Sequence, residues 1–192
     1  KADIVEEVSR IYGFDNIEFL PNPVSPQVVD IVIENKDIKR EARTILFVGH
    51  VVKTKGVVEL VEACKKIENI KVRVVGTITD DMRNELITLT ENAKWLELVG
   101  EEPYEEVIKD MLRCDLFVLP TYTEGFPNVI LESMACGCAI VSTPVGSIPE
   151  MLEEENGQRY GLLVEPQEIE PLREAIVEML DNEELKKECR EN

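Results

Sequence analysis

Asp115-Leu-Phe-Val-Leu119-Pro-Thr-Tyr-Thr-Glu124-Gly-Phe-Pro-Asn128-Val-Ile-Leu-Glu132-Ser-Met-Ala135 is the stretch on which the fold turns. Its opening, Asp115 to Leu119, is an apolar run stopped by Pro120, the pattern of a buried strand. Its close, Val129 to Ala135, predicts a helix ended by Gly137. Between them lies a short turn rich in Gly and Pro, with the helix starting near Asn128. A strand, a tight turn and a helix start aim backbone N–H groups at one point, and such a point attracts phosphate or carboxylate. Glu132 is the only formal charge between Asn128 and Cys136, and burying it unpaired would be costly. Glu124 and Glu132 therefore flank a loop suited to a polar, anionic ligand. The same residues also fit a turn without any ligand, with Asn128 an ordinary N-cap and Glu132 a first-turn acid favoured by the helix dipole.

Outward from this stretch the pattern repeats. Thr44–Val48, Val72–Val75, Trp95–Val99, Cys138–Ser142 and Gly161–Val164 read as further strands. Between and after them, residues 56–67, 80–91, 103–113, 147–154, 168–180 and 182–190 carry helical spacing. Strands alternating with helices give a parallel sheet with right-handed crossovers. The expectation is an α/β, doubly wound, six-stranded Rossmann-like sheet, whose ligands sit beyond the carboxyl ends of the strands. Every turn of interest lies at such an end. Residues 44–192 form this domain in the sequence reading. Residues 1–43 read as a helix (Asp3–Tyr12), a short strand (Ile17–Leu20) and, over 22–43, a linker or crossing loop that follows a preceding domain.

Composition narrows the function classes. Of 192 residues, 44% are hydrophobic and only 5% aromatic, so the core must be mostly Val, Ile, Leu and Ala. The formal net charge of −18 argues against nucleic acid as a partner and against a polybasic membrane anchor. It also requires that any phosphate be held by local donors. No apolar run approaches the ~20 residues of a membrane span. Five cysteines and a single histidine fit a reducing, cytoplasmic setting better than disulfides or zinc. The opening Lys-Ala-Asp-Ile-Val is neither a signal peptide nor an initiator sequence, which suggests a start inside a longer protein.

A second loop suited to anions follows the first strand: Gly49-His-Val-Val-Lys-Thr-Lys-Gly56. Gly49 allows close backbone approach, and Lys55 can place an ammonium at the rim of the crevice that holds Glu124. Lys53 and Lys55 also fit solvated loop charges, and His50 a surface or structural residue. No Gly-x-Gly-x-x-Gly or Walker-type Gly-Lys-Ser/Thr occurs, which disfavours NAD and P-loop chemistry.

Several stretches, in order, resemble one family: Leu20-Pro-Asn-Pro-Val24, Phe47 to Gly56, Val99-Gly100, Glu124 to Glu132, Gly137 to Thr143 and Gly161 to Val164. Over about residues 16–190 the chain resembles the carboxyl-terminal, donor-binding half of a family 4 (group 1) retaining glycosyltransferase of the GT-B fold. The most specific element is the pair of glutamates with seven residues between them. The resemblance implies transfer of a sugar from a UDP-, GDP- or ADP-linked donor, in polysaccharide, glycolipid or other glycoconjugate assembly, with no cofactor and no metal. It implies that Glu124 faces the donor sugar and that Lys55 binds the diphosphate, the two catalytic candidates. Gly125, Phe126, Pro127, Asn128 and Val129 would bind sugar and diphosphate, Glu132 the ribose, and Val99 and Gly100 the base, with Gly49 and His50 at the phosphates. His50 stands where the family commonly has arginine, which grips phosphate bidentately at any pH.

The resemblance also implies an acceptor bound mainly by an amino-terminal domain outside these residues. The chain alone is then expected to bind donor weakly without turnover, and peripheral membrane association stays open for the whole protein. Two alternatives share the crevice: a related GT-B sugar-nucleotide epimerase, and a non-catalytic Rossmann-like module.

Overall fold

The computed structural model of the chain describes residues 24–152 and 160–191. Six strands, β1 (Thr44–Val48), β2 (Lys71–Val75), β3 (Leu96–Gly100), β4 (Leu116–Leu119), β5 (Ala139–Ser142) and β6 (Leu162–Leu163), form one sheet. Their order is β3-β2-β1-β4-β5-β6, and every pairing is parallel. The six-stranded Rossmann-like expectation holds. Strand limits differ by a residue or two from the sequence reading; Trp95 stays outside β3 and Gly100 inside it.

The helices are α1 (Pro26–Glu34), α2 (Val57–Cys64), α3 (Asp80–Leu89), α4 (Tyr104–Arg113), α5 (Asn128–Ala135), α6 (Ile148–Leu152), α7 (Ile169–Asp181) and α8 (Glu183–Glu191). Helices α2, α3, α7 and α8 cover one face of the sheet, and α1, α4, α5 and α6 the other. The central strands are buried on both sides: Ile45, Leu46, Phe47, Leu116, Phe117 and Ile140 are fully enclosed. Each such side chain contributes about 1.5–3 kcal/mol by leaving water. At the edge, β3 is only half covered, and its Glu97 alternates outward among apolar neighbours.

The linker expected over 22–43 is corrected for the described part. Pro26–Glu34 is a helix packed against α4 and α5, with Val28 and Ile31 buried. Ser25 caps it, accepting from the Gln27 amide, and Pro26 occupies the first turn, where its missing N–H costs nothing. The expected helix Asp3–Tyr12 and strand Ile17–Leu20 lie outside the described residues, as does the end of the helix expected to run to 154.

At the amino ends of the strands a charged clamp ties the terminal helix to the sheet. Asp115 accepts from the Arg43 amide at 2.8 Å, from Arg190 at 2.7 Å and from Lys186 at 3.2 Å. Burial alone would raise its carboxyl pKa, but these donors outweigh it and hold the group below the usual carboxylate range. Arg40 closes the same end by donating to the carbonyls of Met111, Cys114, Cys136 and Gly137, the orphan acceptors at the ends of α4 and α5.

Candidate functional site

Order 3-2-1-4-5-6 reverses direction between β1 and β4, so the loops leaving those two strands part and open a crevice at their carboxyl ends. A cavity of about 580 Å³ lies there, within the range of small-ligand sites. The loop after β1 supplies Gly49, His50 and Lys55; the loop after β4 and the start of α5 supply Glu124, Phe126, Pro127, Asn128, Val129 and Glu132. The floor is Val48 and Leu119, the last residues of the two diverging strands.

The two loops are stitched together. The Tyr122 amide donates to the Thr54 carbonyl at 2.9 Å, and the Thr121 hydroxyl donates to the same oxygen. Gly56 has φ +72°, and a side chain there would place Cβ 1.9 Å from the Pro120 carbonyl oxygen. Only glycine lets the end of the Lys55 loop lie this close to β4. From the other side, Thr143 donates to the Thr121 carbonyl at 2.6 Å, and Ser147 donates to the Gly125 carbonyl through both its amide and its hydroxyl, at 3.0 and 2.8 Å. Thr121 and Thr143 are fully buried. The turn carrying Glu124 is thus braced by three neighbours, which is how a loop becomes a rigid site.

Lys55 Nζ and Glu124 Oε1 form an ion pair across the cavity, with side chains 26% and 14% exposed. On the far wall, Glu132 Oε1 accepts a hydrogen bond of 2.7 Å from the Tyr104 hydroxyl. Burial, with the adjacent Glu132 carboxylate, pushes the Tyr104 phenol pKa well above its ordinary value, so it remains a donor. Glu102 lines the cavity beside it. Burial and the charge of Asp110 raise the Glu102 carboxyl pKa, while Arg73 pulls the other way.

Helix α5 begins at Asn128, so its cap is Pro127, and no side chain caps it. Asn128 is therefore not the N-cap, and Glu132 lies beyond the first turn, which holds no acid. The N-cap and first-turn roles read for those two residues are not the ones this turn shows. The Ile130 amide donates to the Pro127 carbonyl at 3.0 Å, and the head of α5, Asn128 and Val129, lines the cavity together with Phe126 and Pro127.

Of the residues singled out in sequence, Gly49, His50, Lys55, Glu124, Phe126, Pro127, Asn128, Val129 and Glu132 share the one cavity. Gly125 sits behind the wall, where its carbonyl anchors Ser147. Val99 and Gly100 do not line it: they end β3, where the Gly100 carbonyl accepts from the Gly76 amide at 2.7 Å. Glu102, Tyr104 and Val107, just past them, line the cavity and were not singled out in sequence. Glu102-Pro-Tyr104 is a proline-led helix start directly after a strand end, a pattern that gives the helix start without giving its reach into the cavity.

Residues 29–192 match the family model for glycosyl transferases group 1. The chain belongs to this family. Every cavity residue falls inside the matched range. It is similar to an uncharacterized glycosyltransferase of Methanocaldococcus jannaschii, 36% identical over 148 residues, covering 77% of this chain and 41% of the relative. It is similar also to the Campylobacter jejuni N-acetylgalactosamine-N,N'-diacetylbacillosaminyl-diphospho-undecaprenol 4-alpha-N-acetylgalactosaminyltransferase, 30% identical, covering 97% of this chain and 53% of that enzyme. Among solved structures, an Anabaena protein in complex with UDP and glucose shares the fold, with a TM-score of 0.68 at 21% identity, over 88% of this chain and 46% of that one. The chain spans about half the length of the curated relatives it matches. Among the described residues, no group of three or more His, Cys, Asp or Glu is placed to hold a metal, and no helix is long and apolar enough to cross a membrane.

Proposed function

We propose that the cavity holds a nucleotide-sugar donor and that the chain is the donor-binding half of a retaining glycosyltransferase of polysaccharide or other glycoconjugate assembly. One observation carries this reading: Lys55, the head of α5 and Glu132 converge on a single cavity at the sheet's switch point. In this reading Lys55 and the amides of Asn128 and Val129 hold the diphosphate. Glu132 accepts from the ribose hydroxyls, a task that needs acceptors only. Glu124 orients the sugar.

During transfer the bond from the anomeric carbon to the diphosphate oxygen breaks, and its electron pair leaves with the diphosphate. The acceptor oxygen bonds to the same face of that carbon, and its proton goes to the departing phosphate. Preorganised N–H donors and an ammonium aimed at the leaving group lower the barrier. They supply the charge stabilisation for which a metal would otherwise serve, so the reaction is read as metal-independent. The Anabaena neighbour with UDP and glucose, and the sugar transfer named for the Campylobacter relative, support the substrate class. The acceptor would be held across the cavity mouth by a second domain, so the 192 residues alone bind without turnover.

Calorimetry of the chain with UDP, GDP and ADP tests the reading. One nucleotide is expected to bind with Kd of about 10 μM to 1 mM, and Glu132→Ala to weaken it at least tenfold. Silence toward all three would overturn the donor site. Steady nucleotide release by the chain with donor and acceptor would overturn the need for a second domain.

A further inference from the structure

We infer that Tyr104 is a positioning residue of the donor site, holding the Glu132 carboxylate in the orientation that accepts the ribose hydroxyls. The inference rests on the reading of Glu132 given above. Tyr104 and Glu132 come from different helices, the first residue of α4 and the middle of α5, and meet at the cavity wall through a bond of 2.7 Å. A glutamate at a cavity wall has three side-chain torsions to order before it can grip a diol, and that ordering weakens binding. The phenol fixes one carboxylate oxygen in advance. The second oxygen, and the remaining lone pair of the first, are left for two vicinal hydroxyls. The raised phenol pKa keeps the donor protonated throughout the neutral range.

The hydroxyl is not what holds α4 in place. That helix is anchored by the buried Asp110, which receives Arg73 of β2 at 2.7 Å, and by Arg40 at its carboxyl end. Tyr104 itself is 36% exposed. Losing its oxygen while keeping the ring therefore changes the orientation of Glu132 and leaves the packing of the helix intact.

The test compares the best-bound of UDP, GDP and ADP with its 2′,3′-dideoxy form, by calorimetry on the chain and on Tyr104→Phe and Glu132→Gln. The native chain should prefer the ribose form about tenfold. Tyr104→Phe should lose three- to tenfold toward the ribose form and less than twofold toward the dideoxy form, whose binding also reports that the variant is folded. Glu132→Gln should lose the preference. If Tyr104→Phe keeps the full preference while Glu132→Gln loses it, Tyr104 is not a positioning residue, and the role of Glu132 stands. Equal weakening of both forms by Tyr104→Phe likewise overturns the inference, because the tyrosine then shapes the pocket without acting through Glu132. If the native chain shows no preference, the role of Glu132 fails and takes the inference with it.

Discussion

Lys55 and Glu124 are ion-paired across the cavity, one from the loop after β1 and the other from the loop after β4. Both side chains are mostly covered, so salt screens the pair less than a surface bridge. A diphosphate must compete with Glu124 for the Lys55 ammonium. Removing the competing charge by Glu124→Gln should therefore tighten binding of a free nucleoside diphosphate by about three- to tenfold. Lys55→Met should weaken it tenfold or more, about 1.4 kcal/mol, while leaving a nucleoside without phosphate unaffected. Calorimetry on the two variants decides it. Weaker diphosphate binding by Glu124→Gln would show that the pair acts as a unit to hold the phosphate.

The turn carrying Glu124 depends on a residue that touches no ligand in this reading. Gly146 has φ +58°, and a Cβ there would lie 2.3 Å from the Glu124 carbonyl oxygen. Gly146→Ala should combine left-handed strain with this clash, at about 2–3 kcal/mol. For a chain of this size that lowers Tm by roughly 5–10 °C. Nucleotide affinity should fall as well, since the displaced turn carries Glu124. A melt and a titration on the one variant check both, and an unchanged Tm would show that the loop after β5 is not a brace.

The sheet was legible because its innermost strands, β1 and β4, are short apolar runs closed by Gly49 and Pro120, and burial on both faces leaves no polar residue to interrupt them. The loops around Lys55, Glu124 and Glu132 were legible because each lies at a strand end or helix start. Helix α1 was not, since Pro21, Pro23 and Pro26 suggest a loop, although Ser25-Pro26 is also a cap followed by a first-turn proline. Tyr104 and Glu102 were missed for another reason. Whether the strand end or the helix start after β3 reaches the cavity depends on how far α4 leans over β1, and no local pattern encodes that. The clamp on Asp115 joins residues 71 and 75 positions apart, again without a local signal.

All five cysteines are buried, and none is joined in a disulfide. Burial pushes the Cys64 thiol pKa up to about 12, and the thiolate is the reactive species. Cys114 and Cys138 approach to 3.8 Å, well beyond the ~2.05 Å of a disulfide. A thiol reagent at pH 8 should therefore label the native chain only as fast as it unfolds, and label five groups at once in denaturant. One group reacting within seconds under native conditions would mean that a helix covering these residues opens readily.

Asp115 makes stability depend on pH in a predictable direction. Its folded pKa is depressed: burial opposes this, but the Arg43 amide, Arg190 and Lys186 favour the charged form. In the unfolded chain the carboxyl titrates near pH ~3.9. Between the folded value and that pH the unfolded state binds more protons, so stability rises with pH across the window. The contribution is complete above about pH 5 and is lost as pH falls through the folded value. Asp115→Asn leaves the buried Lys186 with only Glu183 at 2.6 Å and the half-buried Arg190 against a neutral group, which should cost up to about 3 kcal/mol at pH 7. The deficit should shrink below about pH 4, where the unfolded chain's carboxyl binds its proton while the native one is still charged, and fade as pH falls through the folded value. Urea unfolding of both chains at pH 7 and in acid measures it. A deficit equal at both pH values would mean that Asp115 acts through its shape and the Arg43 amide bond, with the two cations contributing nothing to the hold of α8 on the sheet.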